Sequence, residues 1–346
     1  MASGSTTRRG LLKAGAAMTA TLSMPAIVRA QSTKTLRPIS LQTDWVFQGP
    51  NSGFIVAKDK GFYADEGFDV TINQGKGSGN TAQIVGSKAA QFGFADGYVV
   101  GNSVSKGMKL KMVGGVYRRN PAAVMVLEES GIKEPKDLEG KTVGIATGSA
   151  QFQQFPAFLK GAGLDASKVR VVNVDGAGAG PALINGQVAA IAGFAQGYVP
   201  SIEIRGKKQV RTFWYADAGV VCMSNGVIVH HDMLSEPDVV RGMVRATLKG
   251  FLHARANPEE MTQIVKKYLE TADPAISLRE AQLSWRTWVT PSTADKPLGW
   301  MPEKDWESTV SVLKTYGGVT TPLDAASLYT NEFVPEGKEF IPPQNA

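Results

Sequence analysis

Gly93-Phe94-Ala95-Asp96-Gly97-Tyr98-Val99 and Gly193-Phe194-Ala195-Gln196-Gly197-Tyr198-Val199 differ at one position in seven and stand 100 residues apart. Carried backward without a gap, positions 77–99 and 177–199 share 11 identities in 23, so the match is a duplicated unit and not a chance heptad. Each copy reads as strand, Gly-rich turn, short helix, strand. The first copy places these at 69–74, 75–79, 80–88 and 91–95; the second at 169–174, 175–180, 181–187 and 189–195. The strand segments are short, apolar and β-branched, and Pro181 falls where a first helical turn tolerates it. Such β-α-β units pair in parallel with right-handed crossovers.

A further strand and helix precede each copy: 39–45 then 53–65, and 142–146 then 150–160. The fold class is therefore α/β, with two similar Rossmann-like lobes and a ligand cleft between them. Lobe one covers 34–120 together with about 220–346, including helices at 236–255, 259–270, 278–289 and 303–316. Lobe two covers 121–219, ending on a strand at 210–215. A short strand at 226–229 returns the chain to lobe one.

Ligands of open α/β sheets bind beyond the carboxyl ends of the strands. The residues expected there are Asp44, Trp45, Asn51, Gly77, Ser78, Gly79, Asn80, Asp96, Tyr98, Gly148, Ser149, Gly178, Gln196, Tyr198 and Asp217. Both Gly-rich turns precede helices, whose N-termini each favour an anion or acceptor by about 0.3–1 kcal/mol. The duplication predicts Tyr98 and Tyr198 on opposite walls, with asymmetry introduced at Asp96 against Gln196. Asp96 and Asp217 fit binding or capping better than a catalytic pair, and no catalytic residue is assigned. Gly75-Lys76-Gly77-Ser78-Gly79-Asn80-Thr81 lacks the spacing of a nucleotide phosphate loop.

Composition narrows the function. One cysteine, Cys222, and three histidines leave no material for a disulfide or a cysteine-based zinc cluster, and neither metal nor cofactor is expected. Residues 1–30 carry Arg8, Arg9, Lys13 and Arg29 and no acid, followed by an apolar run and Val28-Arg29-Ala30. They read as a cleavable export signal, and Thr7-Arg8-Arg9-Gly10-Leu11-Leu12-Lys13 resembles the twin-arginine type. Without those four cations, 33 Lys and Arg face 31 Asp and Glu, a net of +2. The basic character belongs to the leader, and nucleic-acid binding loses its electrostatic motive. The longest apolar stretch, 14–27, is shorter than the ~20 residues of a membrane span.

Leu41-Gln42-Thr43-Asp44-Trp45, Gly53-Phe54-Ile55-Val56-Ala57-Lys58-Asp59-Lys60-Gly61-Phe62-Tyr63, Glu66-Gly67-Phe68-Asp69-Val70 and Asp137-Leu138-Glu139-Gly140-Lys141-Thr142-Val143-Gly144 together resemble the periplasmic binding proteins of ABC importers, in the nitrate/sulfonate/taurine and thiamine-pyrimidine branch. The resemblance spans about 36–250 and implies a type II periplasmic binding protein fold. It further implies a monomeric periplasmic receptor that closes on a small solute and presents it to an inner-membrane permease with its cytoplasmic ATPase. Val46-Phe47-Gln48-Gly49-Pro50-Asn51-Ser52 departs from the pyrimidine-binding pattern in spacing and in lacking a histidine. An aromatic or heteroaromatic solute fits Trp45, Tyr98 and Tyr198, while a sulfonate, nitrate or carboxylate fits the two helix N-termini. The same fold serves a thiamine-pyrimidine synthase, which uses a cysteine-rich iron motif and a sacrificial histidine. A periplasmic sensing subunit is the third reading.

Overall fold

A computed structural model of the chain describes residues 1–2 and 35–343; the expected export signal lies outside the described residues. The compact unit begins at Leu36. Among the described residues its strands are β1 (Arg37–Gln42), β2 (Phe68–Asn73), β3 (Phe92–Asp96), β4 (Leu110–Gly115), β5 (Ala122–Leu127), β6 (Thr142–Ile145), β7 (Arg170–Asn173), β8 (Ala190–Phe194), β9 (Val210–Trp214) and β10 (Asn225–His230). They form two five-stranded sheets of matching order, β2-β1-β3-β10-β4 and β7-β6-β8-β5-β9. The fourth strand of each sheet is contributed across a crossover. β10 returns to the first sheet and lies antiparallel to β3 and β4, and β5 lies antiparallel to β8 and β9. The parallel pairing expected of the β-α-β units holds for β2-β1-β3 and β7-β6-β8, and the inserted strand makes each sheet mixed.

β5, Ala-Ala-Val-Met-Val-Leu, is absent from the strands read in the sequence. All six residues are buried, and a strand covered on both faces carries no alternation to betray it.

The helices are α1 (Ser52–Asp59), α2 (Phe62–Asp65), α3 (Ser78–Gly86), α4 (Gly97–Ser105), α5 (Ala150–Gly161), α6 (Gly176–Ile184), α7 (Ala195–Ile204), α8 (Pro237–Ala256), α9 (Pro258–Tyr268), α10 (Pro274–Trp285), α11 (Glu303–Thr315) and α12 (Ala325–Leu328). The helix expected over 53–65 is two, because Gly61 takes a left-handed φ of 77° that ends the first. α6 starts five residues before Pro181, since the Asp175 carboxylate accepts the Gly178 amide at 2.6 Å and caps the helix there. α1 and α8 pack closely, with Gly53 and Gly250 at the contact. α10 touches both lobes: it packs on the Gly49–Asn51 turn of lobe one and on α7 of lobe two. Among the described residues no helix is long and apolar enough to cross a membrane.

Candidate functional site

The duplicated heptads do not superpose in their local structure, and the cause is their one difference. Asp96 is the N-cap of α4, its Oδ1 accepting the Tyr98 amide at 2.9 Å, so the helix begins at Gly97. Gln196 has no such role, and α7 begins two aligned positions earlier, at Ala195. Two residues of helix amount to roughly 200° of rotation. Tyr98 is therefore turned into the core, 2% exposed, with its ring end against Gly317. Tyr198 is turned onto the cleft wall, its ring over Gly193. The expected pair of opposed tyrosines is corrected: only Tyr198 faces the cleft.

The cleft holds an inner chamber of about 50 Å³. On that measure one water needs about 10–15 Å³, so the chamber takes a few waters or the body of a small ring. Its aromatic lining is Trp45, Tyr117, Phe194 and Tyr198, and its polar lining includes Asp44, Asn51, Ser78, Ser149, Gln151 and Gln196. Trp45 follows β1 and reaches across to lobe two, where a Cβ on Gly176 would stand 1.7 Å from its ring. Tyr117 closes the chamber from the crossover and donates its hydroxyl to the Pro50 carbonyl. Gly77 sits above Gly148 with a φ of 118°, and a Cβ there would meet the Gly148 carbonyl at 2.1 Å. The Gly79 amide donates to that same carbonyl at 3.0 Å. These backbone approaches between lobes describe a closed cleft.

Two carboxylates sit beneath the chamber floor or on it. Asp44 accepts from Asn51 Nδ2 at 3.1 Å and from Asn225 Nδ2 at 2.7 Å. Burial nonetheless pushes its pKa up to about 6. Asp96 is wholly buried and does not line the chamber. It accepts from Gln154 Nε2 at 2.9 Å and from the Ser224 hydroxyl at 3.3 Å, and burial pushes its pKa up to about 7. Among the described residues no lysine, arginine or histidine lines the inner chamber.

The amides are the uncommitted groups. Gln151 Nε2 and both amide atoms of Gln196 are buried without a hydrogen-bond partner among the described residues. A buried amide left unpaired costs about 1–3 kcal/mol, and these three atoms belong to residues that line the chamber.

Of the remaining expected residues, Gly148 lines a wider outer groove that adjoins the chamber. Gly79 pairs with Gly148 and does not line the chamber. Asn80, three residues into α3, is half-buried and lines neither space. Gly178 spends its amide on the Asp175 cap, leaving none to offer a ligand. Asp217 follows β9, the edge strand of its sheet, and lines a separate groove with Trp214 on the far side of α10. Sequence reasoning missed Gln48, Tyr117, Gln151 and Glu280. Gln151 lies two residues past the Thr147-Gly148-Ser149 turn and can be found from it; Glu280, in the middle of α10, has no signal.

Residues 50–261 match the family model described as NMT1/THI5 like. A riboflavin-binding protein of Chloroflexus aurantiacus is 27% identical over 88% of this chain and 88% of its own. A 4-amino-5-hydroxymethyl-2-methylpyrimidine phosphate synthase of Legionella pneumophila is 24% identical over 86% of this chain and 92% of its own. Among solved structures, the alkanesulfonate-binding protein of Xanthomonas axonopodis superposes with a TM-score of 0.67 at 14% identity, covering 85% of this chain and 98% of that one. The fold is that of a periplasmic binding protein, and the chain belongs to the NMT1/THI5-like family.

Proposed function

We propose that the protein is an extracytoplasmic solute receptor whose lobes close over an uncharged heteroaromatic ring and deliver it to an ABC importer. The observation that carries this reading is the pair of unpartnered buried amides, Gln151 and Gln196, facing aromatic walls across a narrow chamber. Their donors and acceptor complement a ring edge that itself both accepts and donates. Trp45, Phe194 and Tyr198 supply faces for the ring, and a good aromatic pair adds about 0.5–1.5 kcal/mol beyond burial.

An oxyanion fits less well. Two helix N-termini contribute about 0.3–1 kcal/mol each. A like charge about 4 Å from the Asp44 carboxylate would cost about 4 kcal/mol at an effective dielectric of about 20. With no cation on the chamber wall to offset it, nitrate or a sulfonate is disfavoured. The name of the Chloroflexus relative agrees with a heteroaromatic solute. The name of the Legionella relative raises pyrimidine synthesis. That chemistry calls for a reactive side chain in the site, whereas Cys222 is buried in the core and no histidine among the described residues faces the chamber. The arginine pair of the leader supports export, and with it the extracytoplasmic setting.

A thermal-shift screen of pyrimidines, alloxazines, nitrate and alkanesulfonates tests the reading. A ligand at 100 times its Kd adds about 2.7 kcal/mol, several degrees of Tm. The shift is expected with heteroaromatic compounds, and a shift confined to the oxyanions would overturn the assignment.

A further inference from the structure

The inner chamber is too small to enclose more than a ring, and it does not end blindly. Trp45, Gln48, Ala146, Gly197 and Tyr198 line both it and an outer groove of about 680 Å³. The groove is within the range that buries most of a small organic ligand. A ring seated against Gln151 and Gln196 therefore has one side facing a much larger polar space.

The chemistry of that space differs from the chamber's. Its carboxylates are already engaged by the chain. Asp175 accepts the Gly178 amide, Asp273 accepts the Ala275 and Ile276 amides at 2.9 and 3.3 Å, and Glu280 accepts from Gln48 Nε2 at 3.0 Å and the Gly49 amide at 3.1 Å. Burial pushes the Glu280 pKa up to about 8, so near neutral pH it adds little charge. Lys76 and Arg205 balance Asp175 and Asp273, two cations against two carboxylates. The Thr147, Ser201 and Thr271 hydroxyls make no side-chain hydrogen bond to the chain among the described residues. The groove thus offers free donors and hydroxyls on a wall with no net charge.

We infer that the outer groove is a subsite for a hydroxyl-bearing, uncharged substituent attached to the ring, so that the solute class is nucleoside-like and not a bare heterocycle. This subsite rests on the receptor reading above. The chamber recognises the ring and the groove the substituent, principally through α7 at Ser201 and Arg205.

Calorimetric titration of the purified protein with two matched series separates the possibilities. The series are cytosine, cytidine and cytidine monophosphate, and uracil, uridine and uridine monophosphate. In a series that binds, the hydroxylated member is expected to bind at least tenfold tighter than the bare ring. The variant carrying Ser201→Ala and Arg205→Ala is expected to lose at least fivefold toward the hydroxylated member and to hold the bare ring as before. Equal affinity of ring and hydroxylated member, or an equal loss toward both in the variant, overturns the subsite. Preference for the phosphorylated member overturns its uncharged character. Binding of the bare rings alone leaves the receptor reading standing and removes this one, whereas binding of no member by the wild type removes both.

Discussion

Gln154 of α5, in lobe two, donates its side-chain amide to Asp96 Oδ1, in lobe one, at 2.9 Å, and both residues are fully buried. The contact joins the two lobes beside the inner chamber, within a core cluster that runs through both. A second contact from the same helix, Asn102 Nδ2 to Gln153 Oε1 at 2.8 Å, lies beside it. Two side-chain hydrogen bonds from α5 thus tie the lobes together beside the chamber.

Gln154→Ala removes that donor and leaves a buried carboxylate short of a partner, a loss of about 1–3 kcal/mol that is expected to fall on the closed state. Solute affinity is expected to fall by roughly tenfold. Small-angle scattering with saturating solute should show a larger open fraction than the wild type. Unchanged affinity would mean the contact contributes nothing to closure.

Gly148→Ala tests closure from the backbone side. A Cβ at Gly148 would stand 2.6 Å from the Lys76 carbonyl of lobe one. The position has an ordinary φ, so the open protein should fold normally. Alanine there restricts the unfolded chain and can add about 0.4–1 kcal/mol to stability. Titration calorimetry should show at least a tenfold loss of affinity while Tm without solute holds or rises.

Gln196→Leu is expected to separate stability from binding. It removes two buried polar atoms that have no partner in the fold, and the protein should gain about 1 kcal/mol in urea unfolding. Solute binding should weaken by at least a hundredfold. A loss of stability would show that the amide is satisfied within the chain.

Stability should decline as pH rises. The pKa values of Asp44, Asp96 and Glu280 are raised to about 6, 7 and 8 by burial. Each is harder to ionise folded than unfolded, so above about pH 4 the folded chain holds more protons than the unfolded one. The stabilisation is complete below the unfolded values and is lost as pH climbs through the folded ones. Each tenfold change in proton affinity on folding is worth about 1.4 kcal/mol. Urea midpoints measured from about pH 5 to about pH 8.5, the window that brackets these groups, should fall steadily. A flat profile would contradict the burial of the three carboxyls.

The repeat at 93–99 and 193–199 is enough to read two equivalent lobes, because the duplicated strands β3 and β8 hold the same place in matching sheets. It misleads at Tyr98, where identity of sequence does not survive a two-residue difference in helix start. The deciding signal is the capping chemistry of Asp96 against Gln196, which is visible in the sequence and acts through helix phase. Asp44, Trp45 and Ser149 are legible because they follow strands whose ends meet the cleft. Tyr117 and Glu280 are not, since one reaches the chamber from a crossover and the other lines the groove from the face of a C-terminal helix. Their positions depend on how those segments pack, and no local pattern encodes it.

Closure of the two lobes over an uncharged heteroaromatic solute can be followed by small-angle scattering of the wild type, with and without a saturating heteroaromatic ligand from the thermal screen. The radius of gyration should shrink with that ligand and stay unchanged with nitrate or an alkanesulfonate. Compaction driven by an oxyanion, or a bound heteroaromatic ligand that leaves the scattering unaltered, would refute it.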